Sequence, residues 1–174
     1  TREALTRGHG LSDEYSNGNG SLMRILPLAF TAAGPSDIEA VSSITHAHAT
    51  SVEACQLYVD IARRILKGQQ LPEILSDIET SKTYARLQTL AELTEDDIRS
   101  SGYVVDTLEA ALWCLLTSTS YPETVLKAVN LGDDTDTVAA VAGGLAGIIY
   151  GLEGIPDNWL AQLRNKELLE SCLF

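Results

Sequence analysis

Basic side chains are scarce in this sequence: twelve Lys and Arg stand against twenty-four Asp and Glu, a formal charge of −12 at pH 7. A field of that sign repels polyanions, so nucleic acid and anionic membranes are excluded as partners. A phosphate-bearing ligand must then be held by local devices, namely backbone N–H groups, helix N-termini or a bound cation. Cysteine is scarce too. Cys55, Cys114 and Cys172 are odd in number, far apart and without a CxxC pair, which excludes a disulfide framework and fits a reducing, cytoplasmic setting. They read as small buried apolar residues. There is no long hydrophobic run: Val138 to Leu152 is the most apolar stretch, shorter than the roughly twenty residues a bilayer span needs, and it reads as a buried helix. The chain opens at Thr1 without a secretory signal, an absence that carries no weight in a sequence that does not begin with Met.

Strand signals are nearly missing as well. Val104–Val105 is the best β-like pair and is too short to count. Helix signals recur instead. Ser36 and Glu39, Thr50 and Glu53, Asp106 and Glu109, and Ser120 and Glu123 have capping-box spacing, in which two side chains satisfy orphan N–H groups. Val52, Cys55, Leu57, Val59, Ile61, Ile65 and Leu66 follow helical spacing up to a stop at Lys67–Gly68. We expect helices near 21–33, 37–48, 51–67, 72–90, 106–118, 122–130, 135–150 and 157–171, with a kink or restart at Pro27 and a break in the last. The polar, glycine-containing segment 1–19 reads as a loop. With 45 % hydrophobic residues and no dividing linker, residues 1–174 form one domain or part of one.

The sharpest chemical feature is Gly132-Asp133-Asp134-Thr135-Asp136-Thr137. Three carboxylates in four residues repel one another, and an all-oxygen set favours Mg²⁺, Mn²⁺ or Ca²⁺ over Zn²⁺. From spacing alone the cluster admits two readings, a divalent-metal site and an acidic N-cap. In the helix that follows, Ala139, Gly143, Gly147 and Gly151 lie four apart, a bare face that lets neighbouring backbones approach and marks a central helix. A second feature is Ser16-Asn17-Gly18-Asn19-Gly20-Ser21 before Leu22-Met23-Arg24. Its glycines can take left-handed angles and build an anion-binding nest, or the segment is an ordinary Asn/Gly turn capped by Ser21. Arg24 reads as one half of a structural ion pair. Thr45-His46-Ala47-His48 has no third soft ligand for zinc, so phosphate contact or helix capping is the better use of its imidazoles. Glu95-Asp96-Asp97 reads as a solvated face.

Taken together, Gly18-Asn19-Gly20-Ser21-Leu22-Met23-Arg24-Ile25-Leu26-Pro27-Leu28, then Thr45-His46, then Leu131-Gly132-Asp133-Asp134-Thr135-Asp136-Thr137-Val138-Ala139-Ala140 resemble the ADP-ribosylglycohydrolase family, which includes dinitrogenase reductase-activating glycohydrolases. The resemblance implies an all-α, compact multi-helix bundle, here without its amino-terminal helices, and a hydrolase acting on N- or O-glycosidic bonds of ADP-ribosylated proteins or small ADP-ribosyl compounds. It implies a pair of Mg²⁺ or Mn²⁺ ions, with Asp134, Asp136 and Thr137 as metal ligands. Ser16, Asn17, Gly18, Asn19 and Gly20 would line the diphosphate and ribose with His46 nearby, and Gly102 and Tyr103 would meet the adenosine end. Asp133 would flank the site. The family's Thr-Asp-Asp motif and its catalytic acid belong to an amino-terminal half absent here, so the catalytic residue is expected there and the isolated chain is expected to be inactive. Two rivals remain: a non-catalytic ADP-ribose-binding or structural protein on the same scaffold, and an unrelated acidic helical interaction module.

Overall fold

The computed structural model describes residues 2–172; Thr1, Leu173 and Phe174, which belong to the single domain expected over 1–174, lie outside the described residues. In chain order the α-helices are α1 Arg2–Arg7, α2 Leu22–Ile25, α3 Pro35–Ser43, α4 Ala49–Leu66, α5 Leu71–Asp77, α6 Val104–Leu116, α7 Tyr121–Asn130, α8 Thr135–Tyr150, α9 Asp157–Gln162 and α10 Lys166–Cys172. Short 3₁₀ turns join them, and among the described residues extended pairing is limited to two isolated bridges, Leu11 with His46 and Gly18 with Tyr103. The chain is all-α, as its helix signals predict.

Local chemistry explains the ends of these helices. α4 stops where expected: Gly68 sits at φ +87°, a backbone setting that glycine adopts without strain, and its N–H reaches the Ile65 carbonyl. Ser120 caps α7 by accepting the Glu123 N–H at 3.3 Å. Pro27 does restart the chain, because α2 ends at Ile25 and a 3₁₀ turn over Leu26–Phe30 takes over.

Several expectations are corrected. Residues 2–7 are a helix, not loop. The helix expected over 72–90 is α5 followed by 3₁₀ turns over Lys82–Glu92. Three of the four capping boxes are displaced. The N-cap of α3 is Gly34, whose N–H donates to Asp37 at 2.7 Å, and that of α4 is His48, whose Nδ1 accepts the Thr50 N–H at 3.2 Å. Glu53 instead accepts from the Ser81 N–H and hydroxyl, both at 2.8 Å. Glu109 is buried and faces Arg86 at 3.4 Å, and Asp106 accepts from Ser101 Oγ at 2.6 Å. Capping spacing recurs by chance in an acidic sequence, and the backbone phase decides which copy is used.

α4, α6 and α8 pack on one another and form the centre, with α7 laid along α8 and α3 along α4. Tyr58 of α4 is fully buried and donates its hydroxyl to the Val141 carbonyl of α8 at 2.8 Å, so its polar tip is satisfied inside the core. Leu108 and Leu112 of α6 and Leu145 of α8 belong to the same core and have no exposure. The glycines of α8 divide by side. A Cβ on Gly144 would meet Leu26 Cδ2 at 2.7 Å and Tyr58 Oη at 2.8 Å, whereas one on Gly147 would meet nothing within 4 Å. One side of the central helix, Asp136–Ala140–Gly147, is therefore open.

This asymmetry gives opposite outcomes for one substitution. Gly144→Ala pushes against a tyrosine whose hydroxyl is already tied, and is expected to destabilise by about 1–3 kcal/mol. Gly147→Ala adds only helix propensity and is expected to stabilise by about 0.5–1 kcal/mol. Urea unfolding of the two variants measures both; equal effects would contradict the packing described.

Candidate functional site

The chain enters α8 through two consecutive left-handed residues, Gly132 at φ +89° and Asp133 at φ +57°. Asp tolerates this region better than most side chains. The turn lifts Asp134 to the N-cap position, yet its carboxylate makes no capping bond to the backbone. It accepts instead from Thr137 Oγ1 at 3.0 Å and from Asn19 Nδ2 at 2.6 Å. Asp136 accepts the Thr137 N–H at 2.9 Å and is exposed. Among the described residues no basic side chain lies within ion-pair distance of Asp133, Asp134 or Asp136. The hydrogen bond from Asn19, opposed by burial and helped by Thr137, holds the Asp134 carboxyl below the usual carboxylate range.

Two loops hang on this helix start. Asn19 is buried, and its amide also donates to Thr107 Oγ1 of α6 at 2.8 Å. The Asn19 N–H donates to the Gly102 carbonyl at 3.2 Å, and the Val104 N–H to the Asn17 carbonyl at 3.1 Å, so the two loops pair at Gly18 and Tyr103. Ser100 staples the second loop to α8, its carbonyl accepting the Asp134 N–H at 3.0 Å and its hydroxyl donating to the Gly132 carbonyl at 2.7 Å. A Cβ on Gly102 would stand 3.5 Å from Asp134 Oδ2, ordinary contact distance, so this loop runs directly beside the carboxylate.

His46 closes the other side of the first loop. Its ring lies against the two glycines: a Cβ on Gly20 would stand 2.7 Å from Cε1, and one on Gly18 3.5 Å from Nε2. Nδ1 is 2.8 Å from Thr45 Oγ1. Burial, and then the Arg24 charge, push the imidazole below its ordinary pKa, so it is neutral at pH 7. Of the two readings of this loop, the left-handed nest is not the one adopted: neither Gly18 nor Gly20 has positive φ, and of the two it is Gly20 whose Cβ would collide with the imidazole. The expected ion pair of Arg24 is corrected, since its guanidinium donates to the carbonyls of Gly20, Val41 and Ser42.

The structure thus brings together Asn17, Gly18, Asn19, Gly20, His46, Gly102, Tyr103, Asp134 and Thr137, with Asp136 on the exposed side of the same helix start. Ser16 stands apart, its N–H and hydroxyl both directed to Asp13 at 2.9 Å. His48 caps α4 and has a separate task from His46. Glu95, Asp96 and Asp97 are exposed, as expected of a solvated face. Sequence reasoning missed Ser100 and Thr107, because single hydroxyls outside any motif carry no signal. It also missed that α4, α6 and α8 all begin beside the 17–20 loop: Ser51 Oγ reaches the Gly18 carbonyl at 3.3 Å, Tyr103 is the N-cap of α6 and Asp134 that of α8. Each such terminus carries roughly half a positive charge. A cavity of about 1070 Å³ lined by Glu39, Glu53, Asp60, Asp77 and Glu79 between α4 and α5 contains none of the acidic residues at the start of α8.

The ADP-ribosylglycohydrolase family model matches residues 1–173. The chain belongs to the ADP-ribosylglycohydrolase family. It is 38 % identical over 163 residues to the ADP-ribosylarginine hydrolase Tri1 of Pseudomonas putida (strain GB-1), covering 88 % of this chain and 44 % of that protein. It is 32 % identical over 158 residues to the ADP-ribosyl-[dinitrogen reductase] glycohydrolase of Rhodospirillum rubrum, covering 88 % and 53 %. A solved ADP-ribosylglycohydrolase-related protein complex superposes with a TM-score of 0.75 at 32 % identity, over 92 % of this chain and 59 % of the other. The chain spans about half the length of the curated relatives it matches.

Within this member of the family the two glycines of the first loop are unequal. Gly20→Ala must displace the His46 ring and is expected to shift the imidazole NMR resonances and lower stability by about 1–3 kcal/mol. Gly18→Ala makes only ordinary contact and is expected to leave both nearly unchanged. Equal spectra for the two variants would contradict this packing.

Proposed function

We propose that this chain is the carboxyl-terminal part of a hydrolase that removes ADP-ribose from a modified protein side chain or small ADP-ribosyl compound with the help of Mg²⁺ or Mn²⁺. The observation that carries the reading is the 2.6 Å contact between Asn19 and Asp134, residues 115 apart in sequence, which joins the glycine loop to the acidic helix start in one site. The relatives support the substrate class: the Pseudomonas putida protein is an ADP-ribosylarginine hydrolase and the Rhodospirillum rubrum protein an ADP-ribosyl-[dinitrogen reductase] glycohydrolase.

The donor set fits a hard divalent cation. Asp134, Asp136 and Thr137 offer only oxygen, their carboxylates have no basic partner within ion-pair distance among the described residues, and Asp134 makes no helix-capping bond. These three would hold the ion, which when bound polarises substrate oxygens and lowers the pKa of a water. Among the described residues no group of three or more His, Cys, Asp and Glu side chains converges, so the remaining ligands and the catalytic acid fall to the other half of the domain. The open side of α8, Ala140 and Gly147, is where that half would pack.

The residues present here bind and orient. The 17–20 loop, flanked by the starts of α4, α6 and α8, takes the diphosphate through N–H groups and helix N-termini instead of a basic surface. Neutral His46 offers a hydrogen bond without a charge. Asn19 holds Asp134 in place, and Tyr103, partly exposed at the start of α6, offers a ring face to the base.

The test uses a polypeptide carrying both halves of the domain and an arginine-ADP-ribosylated protein as substrate. Release of ADP-ribose is expected with Mg²⁺ or Mn²⁺ and to stop in a chelator. Asp136→Ala is expected to abolish turnover and most of the metal-induced rise in Tm, while apo stability holds or increases because one carboxylate of a repelling set is gone. The 174-residue chain alone is expected to show little metal stabilisation and no turnover. Full activity in chelator would refute the metal reading, and metal-insensitive binding without turnover would leave a binding protein on this scaffold.

A further inference from the structure

Among the described residues Arg24 has no counter-ion, in a chain of formal charge −12. The ion pairs among the described residues are Arg7–Glu3, Arg64–Asp77 and Arg86–Glu109, and none involves Arg24. Its Nη1 donates to the Gly20 carbonyl at 3.1 Å, and its Nη2 to the carbonyls of Val41 at 2.9 Å and Ser42 at 3.2 Å. Carbonyl oxygens satisfy guanidinium donors but leave the charge uncompensated. Arg63 makes a similar clamp on the carbonyls of Leu28, Thr31 and Ala33, so carbonyl clamping by itself says nothing about a ligand.

What distinguishes Arg24 is its position. It sits behind the glycine loop, holding the Gly20 carbonyl, while the other side of that loop adjoins the starts of α4, α6 and α8. The same carbonyl network reaches His46: Ser42, which accepts from Arg24, donates its hydroxyl to the His46 carbonyl at 3.0 Å, and the Cys55 thiol bridges toward Ser42 and Ser21. No carboxylate lies within ion-pair distance of Arg24 or His46 among the described residues.

Resting on the reading of the 17–20 loop as the diphosphate site, we infer that Arg24 is its positioning residue. Arg24 draws the Gly20 carbonyl back behind the loop, and supplies the positive potential that an acidic chain otherwise lacks there. Burial and then the Arg24 charge lower the His46 pKa, while burial pushes the Cys55 thiol up against the hydrogen bonds of Ser21 and Ser42 and, after them, the Arg24 charge. A neutral His46 and a charged Arg24 thus divide the work, one shaping the loop and the other biasing it toward anions.

The probe is inorganic pyrophosphate, titrated calorimetrically into this chain in metal-free buffer, with His46 titration followed by NMR. Arg24→Lys keeps the charge and is expected to bind within about threefold of the unmutated chain; Arg24→Gln loses it and is expected to bind about tenfold more weakly. His46 should titrate at higher pH in the glutamine variant and unchanged in the lysine variant. Arg63→Gln, which removes the other carbonyl clamp, should leave pyrophosphate binding and His46 as they are. Binding by Arg24→Gln within threefold of the unmutated chain, or an equal loss in Arg63→Gln, would overturn the inference. Should Arg24→Gln fail to fold, the lysine variant decides: tenfold loss overturns, retention supports. An unmutated chain that binds no pyrophosphate overturns the anion reading of the loop itself, whereas binding indifferent to Arg24 overturns only the role given to this residue.

Discussion

The side-chain amide of Asn19 is the contact on which the site depends. Buried, and donating both to Asp134 of the α8 start and to Thr107 of α6, it ties a glycine loop to two of the three central helices with one group. An amide can do this because its nitrogen carries two donors in a fixed plane. Removing either acceptor would leave a buried donor unsatisfied, which typically costs about 1–3 kcal/mol. The rest of the local structure serves this junction: Ser100 holds the α7–α8 turn in place, the left-handed Gly132–Asp133 pair sets the angle of entry, and the Gly102 loop passes without a side chain to obstruct it.

Beneath the loop the arrangement answers an electrostatic problem. A strongly acidic protein that takes a diphosphate, as proposed for this chain, cannot rely on a basic surface. Here three helix N-termini abut one short loop, and Arg24 faces it from behind, donating to the carbonyls of Gly20, Val41 and Ser42. Fixed dipoles and one partly buried charge act at short range, where solvent screens them least, and leave the long-range field of the molecule negative. The acidic start of α8, whose carboxylates repel one another, is joined to this loop by the same asparagine.

The errors of sequence reading share a cause. Capping-box spacing falls at Ser36, Thr50 and Asp106, but the N-cap of α3 is Gly34 and that of α4 is His48, and the carboxylates of Glu53 and Glu109 turn to partners elsewhere in the chain. Spacing identifies that a helix begins nearby and not which residue is its cap, because several side chains compete for the same orphan N–H groups. On sequence alone the glycines of the first loop admit left-handed angles or an ordinary turn, whereas in the structure neither has positive φ and Gly20 makes room for the His46 ring. A glycine signals missing bulk, and only the neighbour reveals whether the space or the angle is what matters.

The sequence by itself determined the helical class, the central place of α8, the end of α4 at Gly68 and the restart at Pro27, because periodicity, small-residue faces and turn chemistry are properties of adjacent residues. It also marked the two motifs that meet in the site. Only the tertiary structure decided that they meet, that Ser100 and Thr107 hold them, that Arg24 faces carbonyls instead of a carboxylate, and that one side of α8 is left open. Those facts rest on contacts between residues as much as 88 and 115 positions apart, and such contacts are set by how helices pack, which no local pattern of residues encodes.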